Sequence, residues 1–256
     1  MRQLTAFTRK EFTEIRRSKK GLVVFVIFVI FGIMSPAMAK LTPWLYETLA
    51  ESLKEQGISI GNVTVTALTS WEQYYKNMFM EFLVLAVVFG GILTSEYQKG
   101  TLINILTKGL NRWKVIAAKC IALFISWTVC YWLCFGITCA YTAYFWDNGA
   151  LRHILLSAAG SYLFGIWLIA VIMLFSTLFN SVTTVLLATG VLYMVLGFLS
   201  MIPAAADYLP LKMTSGLDLL TGKAAVQDYA ASAVVTAAFT VIAVAVSVRV
   251  FNRKRL

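Results

Sequence analysis

The chain has 256 residues, 59% of them hydrophobic and only 13% charged, where a soluble domain carries roughly 25% charged residues. That much apolar side chain exceeds what one soluble core can hide, so lipid is the expected solvent. The net charge of +10 sits in short clusters between apolar runs, which points to membrane topology and sets nucleic acid aside as a partner.

Residues 1–20 are too polar to span. At about 100° per residue, Leu4, Phe7, Phe12 and Ile15 fall on one side of a helical wheel and Arg9, Lys10, Glu14, Arg16 and Arg17 on the other. An amphipathic interfacial helix is expected, its basic face toward anionic headgroups. A first span is expected at about 21–39, ending near Ser35-Pro36. Ala37-Met38-Ala39 also resembles a signal-peptide cleavage site, but the amphipathic helix would be an unusually long leader, so an uncleaved span is expected.

Residues 40–70 read as a small extracytosolic cap. Thr42 can cap a helix with Pro43 in its first turn, Leu45, Leu49 and Leu53 form a stripe against Glu47, Glu51 and Glu55, and Gly57 suits the exit. Residues 58–65 alternate like a hairpin strand. Ser70 with Gln73 has a capping-box pattern that would open a second span at about 71–95, with Trp71, Tyr74 and Tyr75 at the interface. Further spans are expected at about 115–146, 154–179, 182–202 and 230–250, with Asn111 capping the third, a tight Asn180-Ser181 turn and a Pro/Gly-containing segment at 203–229.

Six spans place both termini on one side, and that side holds 16 Lys and Arg against 6 on the other, so the termini are expected in the cytosol. Cys120, Cys130, Cys134 and Cys139 share one span; the i,i+4 pair Cys130 and Cys134 has the spacing of a metal or redox pair, but all four read first as small apolar side chains, with no disulfide framework implied and no metal site assigned. The lone histidine, His153, sits at a turn and reads as a solvated residue. Neither a zinc-protease H-E-x-x-H nor a G-x-x-x-x-G-K-[ST] phosphate loop occurs, and no catalytic residue is assigned. Glu81 stands inside an apolar run, in the outer part of its helix. It is a candidate intramembrane polar site, which snorkelling or pairing with Lys76 would make merely structural.

The stretch from Ser95 to Lys119 is the most informative. A span ends at Glu96, Gly100 permits a bend, Leu102, Ile103, Ile105 and Leu106 offer an apolar face, Gly109 can end a short helix and Asn111 restarts the chain. An apolar face at an aqueous boundary needs a partner or the bilayer.

Glu96, Gly100-Thr101-Leu102, Leu106-Thr107, Arg112 and Lys119 resemble the signature that follows the second span in ABC transporter type-2 permeases. Those proteins usually carry Pro and Ser before the Arg, where this chain has Leu110 and Asn111. The amphipathic entry helix, six spans and basic tail are similar as well. The resemblance implies an all-α integral membrane protein with six transmembrane helices in a bacterial cell membrane. It implies that residues 96–114 form a cytosolic coupling helix docking on a separate ABC ATPase, through Glu96, Lys99, Gly100, Thr101, Leu102, Leu106, Thr107 and Arg112, with Glu96 and Arg112 bracing it. ATP and Mg2+ would belong to that ATPase, this chain binding no cofactor. A second permease subunit, identical or a sister chain, would complete the assembly, and residues 203–229 would re-enter the outer leaflet.

The implied function is export of a hydrophobic or amphipathic substrate such as an antibiotic, antimicrobial peptide or lipid. Met78, Phe79, Met173, Met194 and Phe198 suit such a substrate, or simply face lipid. Two other readings stay open. One is an ATPase-independent immunity or binding protein. The other is a secondary transporter, which needs ionisable groups or broken helices at mid-depth, where no acid is expected here.

Overall fold

The computed structural model describes residues 2–54, 64–102, 107, 109–147, 149 and 151–254. Helix α1 (Arg2–Arg17) is followed by Ser18 and Lys19, and the Lys19 φ of +59° turns the chain into α2 (Lys20–Lys54). Next come α3 (Ala67–Phe89), α4 (Thr94–Gln98), α5 (Arg112–Phe145), α6 (Ile154–Leu178) and α7 (Val182–Leu199). Residues 203–229 contain α8 (Pro203–Ala206), α9 (Gly216–Leu220) and two 3-10 turns, Pro210–Thr214 and Val226–Tyr229, before α10 (Ala230–Arg253). Among the described residues six helical stretches are long and apolar enough to cross a bilayer, from Lys20–Thr48 to Val226–Arg253, and no strand occurs, giving an all-α membrane protein.

Helix α2 departs from the expected break at Ser35-Pro36. It runs unbroken for 35 residues through both Pro36 and Pro43. A proline inside a helix deprives the carbonyl four residues earlier of its donor, and lipid offers no water in exchange. For Pro36 that carbonyl belongs to Gly32, and the hydroxyl of Thr138 on α5 donates to it at 3.1 Å. Gly32 itself lets α5 come close, since a Cβ there would lie 3.0 Å from the Cys134 carbonyl oxygen. Thr42, expected to open a new helix, instead donates back to the Met38 carbonyl at 2.8 Å. At about 1.5 Å per residue the helix is roughly 50 Å long, more than a bilayer core needs. Leu41, Trp44 and Leu45 on its far portion are exposed. Gly57 and most of the expected hairpin lie outside the described residues.

Helix α3 starts at Ala67, before the expected Ser70 cap, and the Thr69 hydroxyl accepts from the Thr66 N–H at 3.3 Å. Ser70 is thereby placed inside the bundle, where its hydroxyl meets that of Thr142 at 2.7 Å. Gly90 and Gly91 then break the helix before α4. A Cβ on Gly90 would lie 2.9 Å from Leu186 and one on Gly91 3.2 Å from Val182, so α7 crosses where side chains are missing.

The core is aromatic and lies between α2, α3, α5 and α6. The Trp127 indole sits within 5.9 Å, centroid to centroid, of Phe28, Phe82 and Tyr131. Its N–H donates to the Tyr162 carbonyl at 3.1 Å, and a Cβ on Gly165 would overlap the ring. The short helices of 203–229 pack on α6 and α10: the Ser157 hydroxyl donates to the Gly216 carbonyl at 2.7 Å, and Ser232 to that of Leu209 at 2.6 Å. Helix α7 is peripheral, with Leu187, Met194 and Phe198 exposed. The residues singled out for substrate or lipid divide accordingly: Met78 and Met173 are core, while Phe79, Met194 and Phe198 face outward.

Gly165→Val should cost about 1–3 kcal/mol through overpacking against Trp127. Gly136→Ala, where a Cβ meets nothing within 4 Å, should leave stability nearly unchanged. Thermal unfolding in detergent compares the two, and equal transitions would exclude the proposed tight α5–α6 crossing.

Candidate functional site

Both termini meet at one end of the bundle, the end rich in Lys and Arg. Along α1, Phe7, Glu11 and Ile15 are buried at four-residue spacing. Glu11 therefore occupies the centre of the apolar face, against the start of α5. There it meets Lys119, whose ammonium lies 2.9 Å from Glu11 Oε2 and 3.1 Å from Glu96 Oε1 on α4. The three side chains are almost sealed from solvent, Lys119 at 1% exposure, Glu11 at 2% and Glu96 at 5%.

Lys10 closes the cluster from the rim. Its ammonium is 3.1 Å from both Glu11 Oε1 and Glu96 Oε1 and 2.6 Å from Glu14 Oε2. Burial by itself would favour the neutral amine. The hydrogen bond to Glu14 and the charges of Glu11 and Glu96 outweigh it, so the Lys10 pKa is raised above the ordinary lysine range. Glu14 moves the other way: partial burial opposes its ionisation, but Lys10 prevails and lowers its pKa. The carboxylates of Glu11, Glu14 and Glu96 gather within 4.8 Å of one another, close enough to hold a cation, and the Lys10 ammonium already bridges all three.

The same end carries a second clamp. Arg112, at the first position of α5, donates to the carbonyls of Phe251 and Asn252 at 3.4 Å each and to that of Lys254, satisfying groups left open where α10 ends. Lys254 donates to the Thr177 carbonyl at 2.8 Å and lies 4.3 Å above the Tyr97 ring.

Between the clamps runs the turn singled out from sequence. Gly100, with φ of +64°, ends α4, and its N–H donates to the Tyr97 carbonyl at 3.2 Å. Lys99, Thr101 and Thr107 are exposed, whereas Leu102 is buried and anchors the turn. Gly109 has φ of +84°. Leu106, Ile103 and Ile105 lie outside the described residues. Asn111 holds the N-cap position of α5 without a side-chain hydrogen bond.

Glu96 and Arg112 are thus not partners of each other: Glu96 binds α1 and α5, and Arg112 binds the chain end. Glu11 was missed from sequence because the faces of α1 were drawn around its apolar and basic residues. A polar side chain on the 7–11–15 stripe was the available signal, as was Lys119 within the apolar run 115–121.

Glu81 lies apart, near the middle of the stretch Ala67–Gln98 and fully buried. It neither snorkels nor pairs with Lys76. The Cys134 thiol donates to its Oε1 at 3.2 Å, and Oε2 has no hydrogen-bond partner among the described residues.

Removing Lys119 would leave two buried carboxylates sharing only the rim ammonium of Lys10. Lys119→Met should therefore cost about 3–5 kcal/mol, and Glu11→Gln in the same background should restore part of the loss. A double-mutant cycle on detergent unfolding should give a coupling of about 1–3 kcal/mol. Additivity within ~0.5 kcal/mol would mean the cluster is not one unit.

No curated protein matches the sequence. The family profile described as ABC-2 family transporter protein matches residues 5–256. Nearly the whole chain, including most of α1, the buried cluster and all six spans, lies within that match, and the protein belongs to the ABC-2 transporter family, whose members are membrane transport components.

Proposed function

We propose that the chain is the permease subunit of an ATP-driven exporter, its basic end facing the cytosol. A separate ABC ATPase would bind ATP and Mg2+, a second permease subunit would complete the path, and a hydrophobic or amphipathic substrate would move outward. The observation that carries this is the buried Glu11–Lys119–Glu96 cluster, which joins α1, the end of the second span and the start of the third at one aqueous end. A push on the turn at 99–102 then reaches two spans and the interfacial helix through short ionic contacts rather than through a loose loop. The exposed Lys99, Thr101 and Thr107 suit contact with the ATPase, Gly100 shapes the turn, and Leu102 holds it to the bundle. Leu106 belongs to the same proposed surface by sequence position. Glu96 acts as a brace toward α5, and Arg112 as a brace toward the chain end.

A secondary transporter is the second reading, and the burial of Glu81 near the middle of its span is the observation in its favour. Against it, α3 runs continuously as helix through that position.

Gentle purification of the tagged protein from its native membrane should recover a stoichiometric ATPase. The double variant Lys99→Glu/Thr101→Asp should lower that recovery by ~10-fold, about 1.4 kcal/mol, without changing the unfolding transition. Glu96→Gln should leave the ATPase bound and lower its substrate-stimulated turnover. A preparation without any ATPase would overturn the exporter reading in favour of secondary transport.

A further inference from the structure

Coupling to an ATPase makes no use of Glu81. On α3, Tyr74, Met78, Glu81, Phe82 and Leu85 share the buried face, and the antiparallel α5 answers with Tyr131, Cys134 and Phe135. The only hydrogen bond to the carboxyl among the described residues comes from the Cys134 thiol, a weak donor, at 3.2 Å to Oε1. Oε2 is buried with no hydrogen-bond partner among the described residues.

The titratable groups around it offer no counter-charge. On α5, the Tyr131 hydroxyl is committed to the Ala158 carbonyl at 2.6 Å, and Cys130 is buried one turn from Cys134. On α3 itself, the Tyr74 side chain is buried beside Tyr131. Helix α2 passes with Gly32 and Ser35, the latter accepting from Asn77 at 3.1 Å. Helix α6 brings Tyr162, bonded to Thr128 at 2.9 Å, and α7 brings Tyr193, whose ring stands 5.5 Å from that of Phe79. Among the described residues no Lys or Arg forms an ion pair with Glu81, in contrast to Glu11 and Glu96, each of which touches two ammonium groups.

An ionised carboxylate in that setting would be a charge in hydrocarbon with one thiol for solvation. A neutral carboxyl fits the observed contacts: Oε1 is the carbonyl oxygen accepting from Cys134, and Oε2 carries the hydrogen. We propose that Glu81, with Cys134 donating to its carbonyl oxygen, is an intramembrane proton-binding site that stays loaded while α3 and α5 remain closed. Parting of the two helices would let water reach Oε2 and take the proton, leaving the carboxylate behind, so the site changes charge when the bundle opens.

The experiment is infrared spectroscopy of the full chain in lipid bilayers at neutral pH, comparing wild type with Glu81→Gln and Cys134→Ala. Wild type should show the C=O stretch of a protonated carboxylic acid, absent from Glu81→Gln. In Cys134→Ala the same band should persist and move to higher wavenumber, because its carbonyl has lost the S–H donor. The Cys134 S–H stretch should shift in Glu81→Gln. Should Glu81→Gln fail to fold, the Cys134→Ala pair alone decides, by that shift. Loss of a carboxylate stretch in Glu81→Gln, or an acid band indifferent to Cys134→Ala, would overturn the assignment. The readout needs no ATPase, so its outcome is separate from that of the exporter reading.

Discussion

Inside hydrocarbon a polar group that loses its partner has no water to turn to, and the arrangement of this bundle follows from that constraint. The Gly32 carbonyl, freed by Pro36, is the clearest case. Its bond from Thr138 lets a proline-containing helix cross unbroken and fixes where α2 and α5 touch. The same logic recurs at Ser70 with Thr142, Tyr131 with the Ala158 carbonyl and Ser157 with the Gly216 carbonyl. Apolar side chains face lipid as readily as they face each other, so close approach at small residues and short polar contacts select the pairing of helices.

At the basic end the constraint takes an ionic form. Lys119 is too deep to be left alone, and its two carboxylate partners come from segments far apart in sequence, α1 and α4. Burying such a cluster is not an efficient way to gain stability, because desolvation offsets much of the attraction. What it supplies is register: α1 can lie against the bundle in one position only, where Glu11 meets Lys119.

Three buried glutamates thus have two different environments. Glu11 and Glu96 sit among ammonium groups at an aqueous rim, while Glu81 sits among aromatic rings with a thiol for company. Burial is common to all three, and the partner decides whether the charge can persist.

Composition and apolar run length alone settled the membrane class and the number of spans, because a segment long and apolar enough to cross a bilayer is a local property. The turn after the second span was legible too, since Gly100 and Gly109 flank a short apolar run outside the spans and both take the left-handed φ that glycine allows. The continuity of α2 was not, because the group that rescues Pro36 stands on another helix. Nor was the ionic cluster: Glu11 meets Lys119 across 108 positions of sequence, and that apposition exists only in the folded bundle. Glu81 was visible as an acid in an apolar stretch, but whether it snorkels, pairs or stays alone depends on what α5 presents to it. Tertiary structure decided that, because solvation in a bundle is a property of neighbours and not of the chain.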